Sequence, residues 1–317
     1  MREDRVVANR VPVILDVDTG IDDALALLLA ARSPALDLLA VTCVAGNAAV
    51  DQVVRNTLKV LDAAGAPDVP VARGADRPLL EPARDARHVH GEDGMGDLGL
   101  VDSVRSPVGM HAVELMRTVL ESAPSPVTLV PLAPMTNIAL VLRTYPHLAE
   151  KVERIVFMGG AAAIGNATAA AEFNVWQDPE AAGIMLTSGV PVTMYGLDVF
   201  YEVTIDEASA AILAASRDSA AQLAGRLLQR QHGRHIATIG DAGAVAAVID
   251  PSGLTTSHLP VRIELAGTWT RGQTLVDRRS WAGDLENDPH GLPAAMVDVA
   301  LGVEAERFRA LFLGALG

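Results

Sequence analysis

A chain of 317 residues in which half the side chains are hydrophobic can bury a large core, as one α/β domain or as two smaller ones. Its 39 acidic against 25 basic side chains leave a formal net charge of -14, which disfavours nonspecific binding to nucleic acid or anionic membrane and suits a small neutral or cationic ligand. The single cysteine, Cys43, excludes an intramolecular disulfide, and the opening Met-Arg-Glu-Asp-Arg has no apolar signal core, so the cytoplasm is the expected location.

The first predicted element is a buried strand over 11–15, Val-Pro-Val-Ile-Leu, followed by an apolar helix that includes Ala24 to Ala31. Between them lie four carboxylates within eight residues: Asp16, Asp18, Asp22 and Asp23. Acids this close raise one another's pKa unless a cation is bound or protons are retained, and a hard divalent metal is the economical explanation. Their position is the carboxyl end of a strand, where open α/β sheets hold ligands. The run Leu25 to Ala31 is too short for a membrane span.

Apolar runs of strand length recur at 38–43, 127–130, 155–158 and 190–195. Helical patterns fall between and after them, at 48–64, 107–122, 134–143 and 179–188, with an Ala-rich helical stretch from about 206 to 230. This alternation predicts parallel βαβ units. Segment 73–105, rich in Gly, Arg, Asp and His, reads as a long irregular insertion, a kind of loop that tends to be functional. A second Gly- and His-bearing stretch spans 231–243, and no composition shift divides the chain into two domains.

Several segments then match one family in order: the acid cluster, Thr42 to Asn47, His90-Gly91-Glu92-Asp93-Gly94, Pro131 to Asn137, Met158-Gly159-Gly160, Gly165 to Thr168, Ala171 to Asn174 with Asp178-Pro179-Glu180, and Thr270 to Thr274. Over nearly its whole length the chain resembles the inosine-uridine-preferring nucleoside hydrolases. The resemblance implies an α/β fold with an open, mostly parallel twisted sheet flanked by helices, Rossmann-like, as a single domain over 1–317 with active-site loops near 73–98 and 231–243. It implies hydrolysis of the N-glycosidic bond of ribonucleosides with one calcium ion (Ca2+), and a role in nucleoside salvage. It further implies a homodimer or homotetramer that uses neither nucleic acid nor membrane as a partner.

Carried over residue by residue, the calcium ligands would be Asp18, Asp23, the main-chain oxygen of Leu132 and Asp241, an oxygen set that suits this ion. Asp18 would also act as general base toward the attacking water. Taken alone, Asp18 could equally be a strand-end acid capping the following helix, an explanation that fits one acid and fails for four. Asp16 takes a supporting place. The ribose would meet Asp22 and Asn174 near its diol and Asn166 and Glu172 near its 5′-hydroxyl, with Asn47, His90, Met158 and Phe173 as further contacts. Trp176 and Trp269 are expected in core packing, with base stacking the lesser reading.

The chain departs from the family at one position. The best-known subgroups have a His immediately before the second metal Asp, where this chain has Gly240, which cannot donate a proton to the leaving base. His232 and His235, in the same loop, are weak substitutes. Two other functions stay open. A calcium-bearing nucleoside- or ribose-binding protein would keep the sugar and metal positions without turnover. A haloacid-dehalogenase-type phosphatase would use Asp16-Val17-Asp18-Thr19 with Asp16 as nucleophile, although only Lys59 and Lys151 are available to its phosphate.

Overall fold

The computed structural model describes residues 10–233, 236–280 and 294–317. Nine strands form one sheet: β1 (Val11–Val17), β2 (Leu36–Cys43), β3 (Val71–Arg73), β4 (Val127–Pro131), β5 (Val152–Met158), β6 (Val192–Tyr195), β7 (Leu254–Ile263), β8 (Thr274–Val276) and β9 (Ala295–Val303), in the order β3-β2-β1-β4-β5-β6-β9-β7-β8. From β3 through β6 to β9 every described pairing is parallel, whereas β7 runs antiparallel to both β9 and β8. The predicted open, mostly parallel sheet flanked by helices is present, and the antiparallel edge was not foreseen.

Strand β1 shows why the sheet is covered on both faces. Its alternate residues Val13, Leu15 and Val17 pack into one apolar cluster with the helices Ile21–Arg32, Val50–Ala64 and Ala242–Ile249. Ile14 turns to the other cluster, against the helices Ala112–Ser122, Thr136–Thr144 and Pro179–Leu186. A strand buried on both faces reads as an unbroken apolar run, which is how it appears in the sequence.

The predicted helices are found with shifted ends. The segment 107–122 is helical only from Ala112, where His111 accepts the N–H of Val113, because Pro107 and Gly109 favour the loop before it. The stretch expected as one helix over 206–230 is two, Glu207–Ala214 and Ser219–His232. Asp218 caps the second, accepting the N–H groups of Ala220 and Ala221 at 3.0 Å each. Segment 73–105 is irregular as expected, apart from the end of β3 and the short helix Arg87–His90. Among the described residues no helix is long and apolar enough to cross a membrane.

The sheet order fixes where a ligand can enter. Successive strands step from β1 outward to β3, and the chain then returns to place β4 on the other side of β1. The carboxyl ends of β1 and β4 therefore flank a topological switch point, and the connections leaving them diverge and open a crevice. Asp16 near the end of β1 and Asp18 just after it lie on one side, and Leu132 follows β4 on the other.

Candidate active site

At that crevice lies a cleft of about 580 Å³. Its floor carries Asn47, Leu132, Met158, Glu172, Asn174 and Asp241, all buried. Its rim carries Arg84, His88, Phe173, Trp176, Tyr201 and Ile236, among others. Of the residues singled out in the sequence, Asp22, Asn47, His90, Leu132, Met158, Asn166, Glu172, Phe173, Asn174 and Asp241 all line this cleft. Asp18 and Asp23 do not line it; they lie beneath the floor, 1% and 0% exposed.

The acids are held by their own turn. Asp23, in the first turn of helix Ile21–Arg32, accepts the N–H of Asp18 at 3.1 Å on Oδ1 and that of Gly20 at 3.0 Å on Oδ2. The helix-capping role considered for Asp18 thus belongs to Asp23, which reaches back as a capping-box acid does. Asp18 instead accepts from Asn47, through the main-chain N–H at 2.6 Å and the side-chain amide at 3.1 Å. The same amide nitrogen lies 3.2 Å from Asp23 Oδ2, so Asn47 bridges the two acids from the cleft side. Asp16 sits behind them, its Oδ1 accepting from Thr42 at 2.6 Å and Asn137 at 2.8 Å while its buried Oδ2 has no partner among the described residues.

Burial raises every one of these carboxyl groups. It pushes Asp16 up to about 7 against the hydrogen bonds of Asn137 and Thr42. Asp18 is held well above the usual carboxylate range by burial and then by the neighbouring charge of Asp23. Asp241 is raised likewise by burial, then by Asp23, Asp22 and Asp18. Among the described residues no Lys or Arg forms an ion pair with Asp18, Asp23 or Asp241. No three Asp, Glu, His or Cys side chains among the described residues close a cage unaided. The donors present are nevertheless all oxygen, and when ionised they meet no cationic side chain among the described residues. They fit a hard divalent cation whose coordination is completed by a main-chain oxygen, water and ligand hydroxyls.

The polar side chains opposite are equally fixed. Glu172 caps the short helix Phe173–Gln177, accepting N–H groups from Gly160 at 3.0 Å, Asn174 at 2.8 Å and Val175 at 3.1 Å, while burial pushes its pKa up to about 7. Asn174 donates to the carbonyls of Leu132 at 2.9 Å and Met158 at 3.1 Å, tying the ends of β4 and β5 together. Asn166 accepts the N–H of Phe173 at 2.9 Å and meets the hydroxyl of Tyr201. His90 Nδ1 accepts the N–H of Ile21 at 3.2 Å. Asp22, half-buried, accepts from Gln231 at 2.8 Å.

Gly240 is a backbone position. Its φ of +54° is left-handed, and a Cβ there would fall 2.7 Å from Asp22 Oδ1. His232 ends the helix Ser219–His232 and does not line the cleft, and His235 lies outside the described residues. Trp176, expected in the core, is half-buried in the rim, and Trp269 is 87% exposed and belongs to neither core nor cleft. The sequence reading missed Arg84, Tyr201, Ile236 and Gln231, side chains in loops or at helix ends that carry no periodic signal. Asn137 lay within a quoted motif, but its contact with Asp16 spans 121 residues of sequence and needed the fold.

Asp16, the nucleophile of the phosphatase reading, is wholly buried and turned to Thr42 and Asn137. Comparison with known proteins points elsewhere. Residues 13–310 match the family described as inosine-uridine preferring nucleoside hydrolase. The chain is 42% identical over 284 residues to the pyrimidine-specific ribonucleoside hydrolase RihA of Shewanella woodyi, covering 87% of this chain and 91% of that protein. Its fold is similar to that of a purine-preferring ribonucleoside hydrolase from Gardnerella vaginalis, with a TM-score of 0.87 at 31% identity over 96% of this chain and 98% of the other. It is equally similar to an inosine-guanosine nucleoside hydrolase, with a TM-score of 0.88 at 30% identity over 97% and 98%. The chain belongs to the inosine-uridine preferring nucleoside hydrolase family and is an enzyme that hydrolyses N-glycosidic bonds.

Proposed function

We propose that this enzyme hydrolyses pyrimidine ribonucleosides to free base and ribose, with one calcium ion held by Asp18, Asp23, the main-chain oxygen of Leu132 and Asp241. The observation that carries the reading is the buried floor of oxygen donors beneath a partly apolar rim, which divides the cleft into a sugar end and a base end. The pyrimidine class rests on the relatives at about 40% identity, whose names are pyrimidine-specific. When bound, the cation would supply positive charge that favours ionisation of water and anchors the vicinal diol of the ribose.

The protein's own groups do the rest. Asp18 takes the proton of the attacking water; burial beside Asp23 raises its basicity once it is ionised, and Asn47 fixes its orientation. Asp22, Asn47 and Asn174 surround the sugar hydroxyls, and Asn166 stands on the side of the 5′-hydroxyl. Glu172 accepts three main-chain N–H groups, so its first effect is to hold Asn174 and Phe173 in place, and its charge favours positive charge developing on the ribose. A site built to pair hydroxyls rejects 2′-deoxynucleosides because its buried partners would stay unpaired.

The test is release of ribose and base from a panel of ribonucleosides, with and without a chelator. Uridine and cytidine should be cleaved faster than inosine, and chelation should stop turnover until calcium is restored. Asp18→Ala should lower kcat by more than about 1,000-fold, since it removes base and ligand together. Tight ribose binding without release from any nucleoside would favour the binding-protein alternative.

A further inference from the structure

Gly240 cannot serve as an acid, so a different group has to assist departure of the base, and Arg84 of the cleft lining is one whose head is held in place. We propose that Arg84 is the group that stabilises the leaving base, a proposal that rests on the pyrimidine ribonucleoside reading above. Arg84 lines the cleft with its guanidinium 4.4 Å from the ring centroid of Trp176, which lines the same rim. Its head is paired with Glu81 at 3.1 Å through Nη2, which leaves further N–H donors of the fork uncommitted to that bond. Its main-chain oxygen is fixed by the buried Gln177, whose amide donates at 3.1 Å.

The anchoring extends into a motif that the sugar and metal positions leave unexplained. Arg271, in the Thr270 to Thr274 segment, lies 3.4 Å from Glu81 and 2.8 Å from Glu180 of the helix that follows Asn174. Glu81 is therefore shared between Arg84 in the first active-site loop and Arg271. A guanidinium held by Glu81 and Trp176, on a backbone pinned by Gln177, loses little side-chain freedom when it meets a substrate, and this preorganisation is what electrostatic catalysis requires. Arginine stays protonated at neutral pH, so it acts by charge and hydrogen bonding and not as a proton donor.

The bond changes balance without an acid. Water oxygen bonds to C1′ as its proton passes to Asp18, the C1′–N1 bond breaks, and its electron pair stays on the pyrimidine, spread over N1 and the conjugated carbonyl oxygen or oxygens. The guanidinium pairs with that anion, which takes a proton from solvent after release. Asp18 returns its proton to solvent.

The experiment compares uridine with para-nitrophenyl riboside, whose leaving group is stable as an anion and needs no assistance. In the calcium-loaded full-length enzyme, Arg84→Met should lower kcat on uridine by about 100-fold, the scale for losing one transition-state donor, and change the nitrophenyl substrate by less than about threefold. Arg84→Lys, which keeps the charge and guards against a folding artefact, should recover about tenfold of the loss on uridine. Equal losses on both substrates in both variants, or uridine turnover unchanged by either, would overturn the role of Arg84. Wild-type enzyme that cleaves the nitrophenyl riboside but no pyrimidine nucleoside would overturn the functional reading itself, and is recognised before any variant is made.

Discussion

At residue 240 side-chain chemistry and backbone geometry conflict. Installing the histidine of the better-known subgroups would place a Cβ 2.7 Å from Asp22 Oδ1 on a backbone with φ of +54°. Left-handed backbone costs a non-glycine residue about 1–2 kcal/mol, and the collision would displace Asp22. Gly240→His should therefore lower both stability and sugar affinity and leave leaving-group dependence unaltered, as thermal melting and KM for uridine would record. Enhanced turnover of nucleosides with poor leaving groups would show that the turn can rearrange. Tyr195 offers a second residue-scale test. Its hydroxyl is buried with no partner among the described residues, and burial next to the charge of Asp241 holds its pKa above the usual tyrosine range. Removing an unsatisfied buried hydroxyl recovers its desolvation cost, so Tyr195→Phe should leave stability unchanged or raise it by about 1 kcal/mol in denaturant titration. A loss of that size would reveal a water bonded to the hydroxyl.

Among the elements, the parallel strands were legible because burial on both faces writes them as continuous apolar runs, and the acids because they crowd the end of one such run. The antiparallel strand β7 and its neighbour β9, which pairs parallel with β6, were not. Apart from the buried Val261, residues of β7 alternate irregularly between half-buried and exposed and include Pro260, so neither a period of two nor an apolar run marks it. The division of the 206–230 region did carry a signal, Ser216 and Asp218 before Ser219, but the alanines on either side obscured it. Candidate site residues were legible where they belonged to a local motif, as with Asp22, Asp23, Asn166 and Glu172. The rim was not, because Arg84 reaches the cleft through Glu81, Gln177 and Trp176, which only the fold gathers. The helix Ala242–Ile249 gives an element-scale prediction: a Cβ on Gly243 would lie 2.0 Å from the Tyr195 hydroxyl, so Gly243→Ala must push the helix that carries Asp241 off β6. It should cost about 2 kcal/mol or more and weaken calcium affinity in proportion, measurable by titration calorimetry. Wild-type melting and affinity would show that the helix can shift freely.

Across the whole molecule, the buried acids link stability to pH. Asp16 and Glu172 both titrate near 7 in the folded chain, against about 4 for unfolded carboxyl groups. The native state then binds more protons than the unfolded state between those values, so stability is greatest at the acid end of this window and falls as pH rises through 7. In chelator the melting temperature should drop between pH 5 and pH 8. On the proposed reading, in which calcium binds the ionised acids of the native state, added calcium should reduce or reverse that slope. A chelated protein that melts higher at pH 8 than at pH 5 would mean that these acids are already ionised in the native state.

The first active-site loop is fastened at Leu79 to Asp178, at Arg84 to Gln177, at Ala86 to Asn47, at His90 to Ile21 and at Asp93 to Asn56. A segment with so many separate anchors has little room to act as a gate. Nucleoside should accordingly enter by simple diffusion into a cleft already shaped, and stopped-flow association should rise linearly with substrate concentration, without the plateau that a slow opening step imposes.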